Sequence, residues 1–175
     1  MRPVLTATVA VALGLTVSGC AGRDDDAEAS RAISASIVKQ QQSADGPGAL
    51  LSLRRKEANC IGDGLVKRIG VDRLRTSGML TEDNKVKGSV TSAKLSRGDA
   101  RKATSVLFGC ADVEAMVEKG LARSGNISKE MLPCVNKVVD DKSLRSMFTD
   151  YFQGDKNAPQ ALVRPMMRCI VGNTG

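Results

Sequence analysis

The sequence predicts an all-α domain, a helical bundle held together by disulfide bonds. Apolar residues recur every three or four positions in successive segments, which is the period of an α-helix. No segment shows sustained alternation of apolar and polar residues with turn signals, so no β-sheet is expected. The chain has no Trp, three Phe and one Tyr. A core so poor in large side chains needs covalent links, and the cysteines available for them are Cys60, Cys110, Cys134 and Cys169.

The N-terminal segment has the form of a signal peptide. Arg2 makes a short basic start, and residues 4–16 form an uncharged, mostly apolar run. That run is shorter than the roughly 20 residues that a membrane-spanning helix needs. It is followed by V-S-G-C, in which Cys20 comes after an aliphatic residue and two small ones. This sequence resembles the lipobox of bacterial lipoproteins.

The lipobox resemblance implies that the Cys20 thiol carries a diacylglyceryl group and that the signal peptide, residues 1–19, is removed. The protein would then be anchored, by palmitate-type acyl chains, on the extracytoplasmic face of the cell membrane, because two chains hold a protein there firmly. The alternatives are an ordinary secretory signal that happens to precede a cysteine, or an uncleaved membrane helix. Residues 20–27 are small and charged, so we expect the lipidated Cys and a tether there, and a helical domain over 28–175.

Four helices are predicted in the first half of this domain, over residues 28–42, 52–69, 71–77 and 96–108. Ser52 and Ser96 are the expected N-caps of the second and fourth helices, because a serine hydroxyl can accept a hydrogen bond from a free amide of the first turn. Gly62 and Gly64 weaken the second helix by about 1 kcal/mol each, so packing must hold it. The polar residues 81–94 are expected to form a loop.

Four more helices are predicted in the second half, over residues 112–123, 128–139, 143–152 and 158–171. Asp112 and Ser143 are the expected N-caps of the first and third of these helices. Pro133 is unfavourable inside a helix, so the second is expected to begin late or with a tight turn. Pro165 is expected to kink the last one.

The four cysteines of the domain are expected to form structural disulfides. They are 50, 24 and 35 residues apart and contain no C-x-x-C, so redox and metal motifs are absent. Four cysteines allow three pairings. Both halves, about 28–111 and 112–175, have the same order: a helix with a cysteine, a short helix, a loop, and a helix that ends in a cysteine. This order suggests two degenerate repeats that share one core, and it predicts the pairs Cys60–Cys110 and Cys134–Cys169.

Two fragments carry a family resemblance: C-I-G-D-G-L-V-K-R-I-G-V-D-R-L at 60–74 and V-L-F-G-C-A-D-V at 106–113. They resemble small four-cysteine helical domains in exported proteins and lipoproteins of high-GC Gram-positive bacteria. The resemblance covers about residues 50–170. It implies a helical fold and an extracytoplasmic compartment, and it carries no established activity. Pro133 departs from the smoother helix starts expected of such a domain.

No enzymatic activity, metal or cofactor is expected. The chain has no histidine, which excludes Ser-His-Asp and Cys-His catalysis and histidine metal sites. Ser36-x-x-Lys39 and Ser124-Gly125-Asn126 fit two motifs of the penicillin-binding serine acyl-enzymes, but the K-T-G that should follow is missing. Such an enzyme is kept only as a further alternative. The acid pairs Glu82-Asp83 and Asp140-Asp141 are interpreted as a solvated loop and a helix end rather than a glycosidase site.

The predicted function is a non-enzymatic binding or scaffolding module at the cell envelope. Residues 20–175 carry 25 basic and 19 acidic side chains, a net charge of +6. This excess favours an anionic envelope polymer as partner, or a protein. Nucleic acid is not expected, because few aromatic side chains could stack on bases. The candidate surface consists of Arg54, Arg55, Lys56, Lys67 and Arg68.

The alternative is a carrier of a lipid or a small apolar ligand. Methionine is flexible and polarisable, so it suits an adaptable apolar cavity, although it is more often part of an ordinary core. The candidate lining consists of Met116, Met131, Met147, Met166 and Met167.

Overall fold

The structure is a computed structural model that describes residues 21–41, 53–88, 90, 93–123, 128 and 130–171. These residues form eight α-helices and no β-strand, and an isolated β-bridge joins Leu80 to Val86. The helices are α1 Ala21–Gln41, α2 Arg55–Ile69, α3 Val71–Thr76, α4 Arg97–Cys110, α5 Val113–Arg123, α6 Leu132–Val138, α7 Asp141–Phe152 and α8 Gln160–Val171. The predicted all-α, disulfide-linked class is confirmed.

The first helix begins seven residues earlier than the sequence suggested. Residues 21–27, expected to be a tether, are the first turns of α1, which starts at Ala21 rather than Glu28. Asp24 lies in its first turn, where a negative charge interacts favourably with the helix dipole. Asp25 is bound by Arg75 and Asn84, so the start of α1 is attached to the body of the protein. The signal peptide 1–19 and Cys20 lie outside the described residues.

Helices α1, α2 and α4 pack side by side, and two glycines of α2 allow this. A Cβ on Gly62 would meet the backbone of Ser30 on α1, and a Cβ on Gly64 would lie 2.6 Å from a methyl carbon of Val106 on α4. A disulfide between Cys60 and Cys110 joins α2 to α4, with 5.6 Å between the two Cα atoms. The two glycines therefore lower the helix propensity of α2 but bring both neighbouring helices close to it.

The N-caps follow the sequence signals in part. Ser96 caps α4 by accepting the amide hydrogen of Asp99, and Asp112 accepts the amide hydrogen of Ala115 at 3.1 Å, both as predicted. Ser52 lies outside the described residues, and the residue before α2 is Arg54. Helix α7 is capped by Asp140 rather than by Ser143, because the Asp140 carboxylate accepts the amide hydrogen of Ser143 at 2.7 Å.

The second half keeps the predicted order of elements but not their relative lengths. Its cysteine-bearing helix, α6, has seven residues and starts at Leu132, with Pro133 in the first turn, where a missing amide hydrogen is tolerated. The helix that follows, α7, has twelve residues, whereas its counterpart α3 has six. The disulfide Cys134–Cys169 joins α6 to α8 with 5.7 Å between the Cα atoms. Both disulfides have the predicted pairing.

The two halves share one hydrophobic core, as expected for the bundle. The contact between them is made mainly by α4 and α7. The ring of Phe108 on α4 meets the ring of Phe148 on α7 edge to face, with 6.0 Å between centroids. Next to them, the hydroxyls of Thr104 and Thr149 are 3.0 Å apart. The larger helix α7 thus supplies the surface by which the second half closes against the first.

The connection between α3 and α4 is more than the polar loop that its composition suggested. Its described part contributes five buried apolar side chains to the core: Met79, Leu80, Val90, Ala93 and Leu95. The amide of Leu95 donates a hydrogen bond to the carbonyl oxygen of Phe152, at 2.9 Å, at the end of α7. The described residues of 81–94 form an irregular connection, as predicted, but the burial of Val90 and Ala93 was not expected, because apolar residues without helical or strand spacing give no periodic signal.

Candidate functional site

The relative position of α1 and α2 is set by polar contacts between the two helices. The Ser30 hydroxyl donates a hydrogen bond to the Asp63 carboxylate. The Ser34 hydroxyl lies 3.1 Å from the carbonyl oxygen of Ala58. Because the residue number rises along α1 as it falls along α2, the helices are antiparallel. The second half of α1 consequently lies beside the first turns of α2.

A groove of about 390 Å³ opens between these parts of the two helices. Helix α1 forms one wall and helix α2 the other. The small apolar residues Ala35 and Val38 contribute to the lining, next to polar and cationic side chains. The described residues that line it are Arg31, Ser34, Ala35, Val38, Lys39, Arg55 and Asn59.

Among the described residues that line it, the groove has three cationic groups and no acidic one. Arg31 and Lys39 come from α1 and Arg55 from α2. Within the described part of the chain, neither Arg31 nor Arg55 has an ion-pair partner. The exposed amide of Asn59 adds donor and acceptor capacity. Such a set of donors suits the oxygens of a phosphate or carboxylate group.

The acid nearest to Arg55 along the chain, Glu57, is already paired. It is buried, and its carboxylate accepts hydrogen bonds from the Arg54 guanidinium and from the Arg54 backbone amide, the latter at 2.6 Å. The Arg54 side chain, followed by the Arg54 amide, holds the pKa of Glu57 below its ordinary value. Glu57 therefore serves to cap α2, with its charge balanced by Arg54.

The structure separates the five basic residues that the sequence suggested as one surface. Arg54, Arg55 and Lys56 lie at the start of α2, whereas Lys67 and Arg68 lie in its last turn. Twelve residues separate Arg55 from Lys67, so a helix rise of 1.5 Å per residue places them about 18 Å apart. Of the five, Arg55 lines the groove. The predicted single surface is therefore two separate surfaces. Lys67 and Arg68 are not part of the groove, whose other cationic residues come from α1.

Arg31 and Asn59 were not singled out in the sequence, and Lys39 was considered only as the lysine of the Ser36-x-x-Lys39 motif. Arg31 and Lys39 are eight positions apart, so their side chains are separated by an angle of about 80° around the axis of α1. That spacing could have marked a basic side of the helix. It could not show that this side meets the start of α2, because the two helices are joined by contacts between residues far apart in the chain.

The five candidate methionines do not line this groove. Met147 is buried in the shared core, and Met116 and Met166 pack against that core from partly buried positions. Met131 is half-buried beside α6, and Met167 is 51% exposed on α8. The structure therefore distributes these side chains among the core and its edge, the start of α6 and the surface of α8.

The serine motif and the acid pair have structural partners. The Ser36 hydroxyl accepts a hydrogen bond from the Gln40 amide at 2.9 Å, and Ser124-Gly125-Asn126 lies outside the described residues. Asp140 caps α7, and Asp141 forms an ion pair with Arg145 at 2.6 Å. Glu82 and Asp83 are exposed.

Comparison of the chain with protein families, with curated proteins and with solved structures gives no significant match. Among the helices that the structure describes, none is long and apolar enough to cross a membrane. The described side chains include no group of three or more Cys, Asp or Glu placed to hold a metal ion. The α1–α2 groove is thus the site whose residues suggest a chemical class of ligand.

Proposed function

We propose that this protein is a lipid-anchored envelope component whose α1–α2 groove binds an anionic, phosphate-bearing polymer without chemical conversion. The observation that carries the proposal is the set of cations in the groove, Arg31, Lys39 and Arg55, with no acid among the lining residues that the structure describes. The V-S-G-C sequence ending at Cys20 supports the anchored location. Cationic side chains on one concave surface attract a polyanion and raise its local concentration.

The position of the groove along α1 supports the same function. Helix α1 begins at Ala21, directly after the proposed lipid site. With a rise of 1.5 Å per residue, Arg31 and Lys39 lie about 15 Å and about 27 Å along the helix from Ala21. A groove at that distance from the anchored end is accessible to a polymer that extends beyond the lipid head groups.

Binding is tested with the protein made from its complete precursor sequence and purified in its mature form. The probe is poly(glycerol phosphate), with neutral dextran as the uncharged comparison, and the readout is titration calorimetry. We expect binding of the phosphate polymer only, and weaker binding as salt is raised, since exposed charges are screened. R31Q/R55Q should weaken it about tenfold, because exposed ion pairs contribute up to about 1 kcal/mol each.

The matched control is R97Q/R101Q, which removes the same charge from two exposed residues at the start of α4. It should bind the polymer as the unchanged protein does. Equal losses in the two double variants would show that net charge rather than the groove drives binding. Absence of polymer binding by the unchanged protein would refute the proposed ligand.

The anchor is tested separately by mass spectrometry of the N-terminal peptide and by labelling with radioactive palmitate. The expected mature form starts at Cys20 and carries a diacylglyceryl group. C20A should abolish both the palmitate labelling and the cleavage of the signal peptide from the precursor. A mature chain that starts elsewhere, or an unmodified Cys20, would refute the lipid anchor without affecting the polymer titration.

A further inference from the structure

Helix α8 exposes apolar side chains on its outer face. The large hydrophobic residues that are exposed in the described part of the chain are Val163, at 44%, and Met167, at 51%. They are four residues apart, so they are neighbours on one side of the helix. On a neighbouring side of the helix, Leu162 and Met166 pack against the core and Cys169 is buried in its disulfide with Cys134.

Two arginines lie next to this apolar pair. Arg164 and Arg168 each follow one of its members in the sequence, so they form a second stripe about 100° around the helix. Both are exposed, and no acidic side chain of the described residues pairs with either. The sequence contains no Asp or Glu after Asp155. Among the described residues, the outer face of α8 therefore combines an apolar edge with a cationic edge that no acidic side chain neutralises.

We propose that this face of α8 docks on an anionic lipid bilayer. Val163 and Met167 enter the boundary between head groups and acyl chains, while Arg164 and Arg168 bind lipid phosphates. Interfacial helices bind membranes by this combination of apolar area and attraction to anionic lipid. The proposal rests on the anchor at Cys20 for its proximity to the bilayer, and it makes α8 a second membrane contact besides the lipid.

The size of the surface favours a bilayer over a protein partner. A stable protein interface buries roughly 800 Å² on each partner, far more than two partly exposed side chains provide. A chain already held at the membrane needs little additional affinity, because tethering turns the second contact into an intramolecular event. The disulfide Cys134–Cys169 keeps α8 joined to α6, so the docking face is formed before it meets the lipid.

The absence of tryptophan in the chain allows a single reporter. M167W places one indole in the proposed contact, and S105W places one at an exposed position of α4 as control. Both proteins, made from the complete precursor, are reconstituted with phosphatidylcholine vesicles that contain or lack phosphatidylglycerol and that carry brominated acyl chains. We expect quenching of M167W with phosphatidylglycerol, much less without it, and none for S105W.

Removing the cationic stripe gives the second measurement. Each arginine near an anionic surface should change the ratio of docked to undocked α8 about fivefold, so R164Q/R168Q in the M167W protein should lower it roughly thirty-fold. R97Q/R101Q in the same protein changes the net charge equally and should leave the quenching unchanged. A loss of the same size in both would overturn the assignment of the contact to α8.

The outcomes separate this inference from the proposed anchor. A lipidated protein whose M167W indole stays unquenched with phosphatidylglycerol overturns the docking of α8 and leaves the anchor intact. If mass spectrometry finds Cys20 unmodified in the mature protein and the M167W indole is still quenched, the docking of α8 is supported and the anchor is refuted. If sedimentation shows a dimer of the original chain that M167E dissociates, the face is covered by a second copy and the lipid proposal is overturned.

Discussion

Gly62 on α2 faces the backbone of Ser30 on α1 so closely that a Cβ at Gly62 would lie 2.6 Å from the Ser30 carbonyl oxygen. The Ser34 hydroxyl would also meet that Cβ, and this hydroxyl is held by carbonyl oxygens of both helices. A backbone carbonyl within a helix cannot turn aside. The absence of a side chain at Gly62 therefore sets the distance between α1 and α2, and with it the width of the basic groove.

G62A is expected to lower the free energy of unfolding by about 1–3 kcal/mol, the usual effect of overpacking a close contact. The gain of about 1 kcal/mol in helix propensity would offset part of the effect. G109A is the matched control, because a Cβ at Gly109 meets no atom within 4 Å. It should be neutral or stabilise by up to about 1 kcal/mol. Urea unfolding measures both. Equal behaviour of the two variants would contradict the role of Gly62.

The two disulfides are expected to stabilise different parts of the protein. In the chain-entropy description, links that close loops of 50 and 35 residues contribute about 4 kcal/mol each. Helix α6 has seven residues and Val135 as its buried side chain, so it depends on its link. C134A/C169A should therefore accelerate amide exchange in α6 and α8 while α2 and α4 remain protected.

C60A/C110A should instead lower the global free energy of unfolding, because the disulfide that it removes joins the two central helices α2 and α4. Reduction of both disulfides should unfold the domain at ordinary temperature, since its stability is expected to be of the same size as their contribution. Circular dichroism in the far ultraviolet follows the melt. A melting curve unchanged by reductant would show that the core is sufficient without the links.

Asp99 makes stability depend on pH. Burial raises the pKa of Asp99, but the hydrogen bond from Ser96 and the Arg73 guanidinium outweigh burial and hold the pKa below its ordinary value. Because the folded-state pKa lies below the unfolded value of about 3.9, the carboxylate stabilises the fold above that pH. This contribution is lost as the pH falls through the lower, folded-state pKa.

D99N should accordingly lose less stability than the unchanged protein when urea unfolding is repeated from about pH 6 down to about pH 3. Part of the acid sensitivity should persist, because a hydrogen bond from Arg54 also lowers the pKa of Glu57 and one from Ser143 that of Asp140. D141N is the control, since Asp141 is exposed and pairs with Arg145 at the surface. A steeper acid loss in D99N than in the unchanged protein would be inconsistent with a stabilising carboxylate.

Arg75 is expected to hold the first turns of α1 in place. Its guanidinium donates hydrogen bonds to Asp25 at 2.7 Å and to the buried Asn84 at 2.8 Å, and Asn84 also donates to Asp25. R75Q should accelerate amide exchange over residues 21–28 about tenfold or more, as hydrogen bonds to charged groups contribute about 1.5–3 kcal/mol. Exchange in α4 should not change. R97Q, at an exposed position, is the control. Unaltered exchange at the start of α1 would show that the helix is held by other contacts.

The helices and the disulfide pairing could be predicted from the sequence. Helical periodicity and the caps at Ser96 and Asp112 act between residues a few positions apart. Such signals remain legible without knowledge of the rest of the chain. The pairing of the cysteines followed from the repeated order of elements, which brings each cysteine close to the next one in its own half.

Only the tertiary structure decided where the groove lies and which side chains line it. Arg31 and Arg55 come together because α1 runs antiparallel to α2, and this arrangement depends on Gly62 fitting against Ser30. The burial of Leu80 and Leu95 in an irregular connection was likewise decided by the tertiary structure. Contacts between residues far apart in sequence depend on how whole helix faces fit together. A local pattern of residues contains no information about the surface that it will meet.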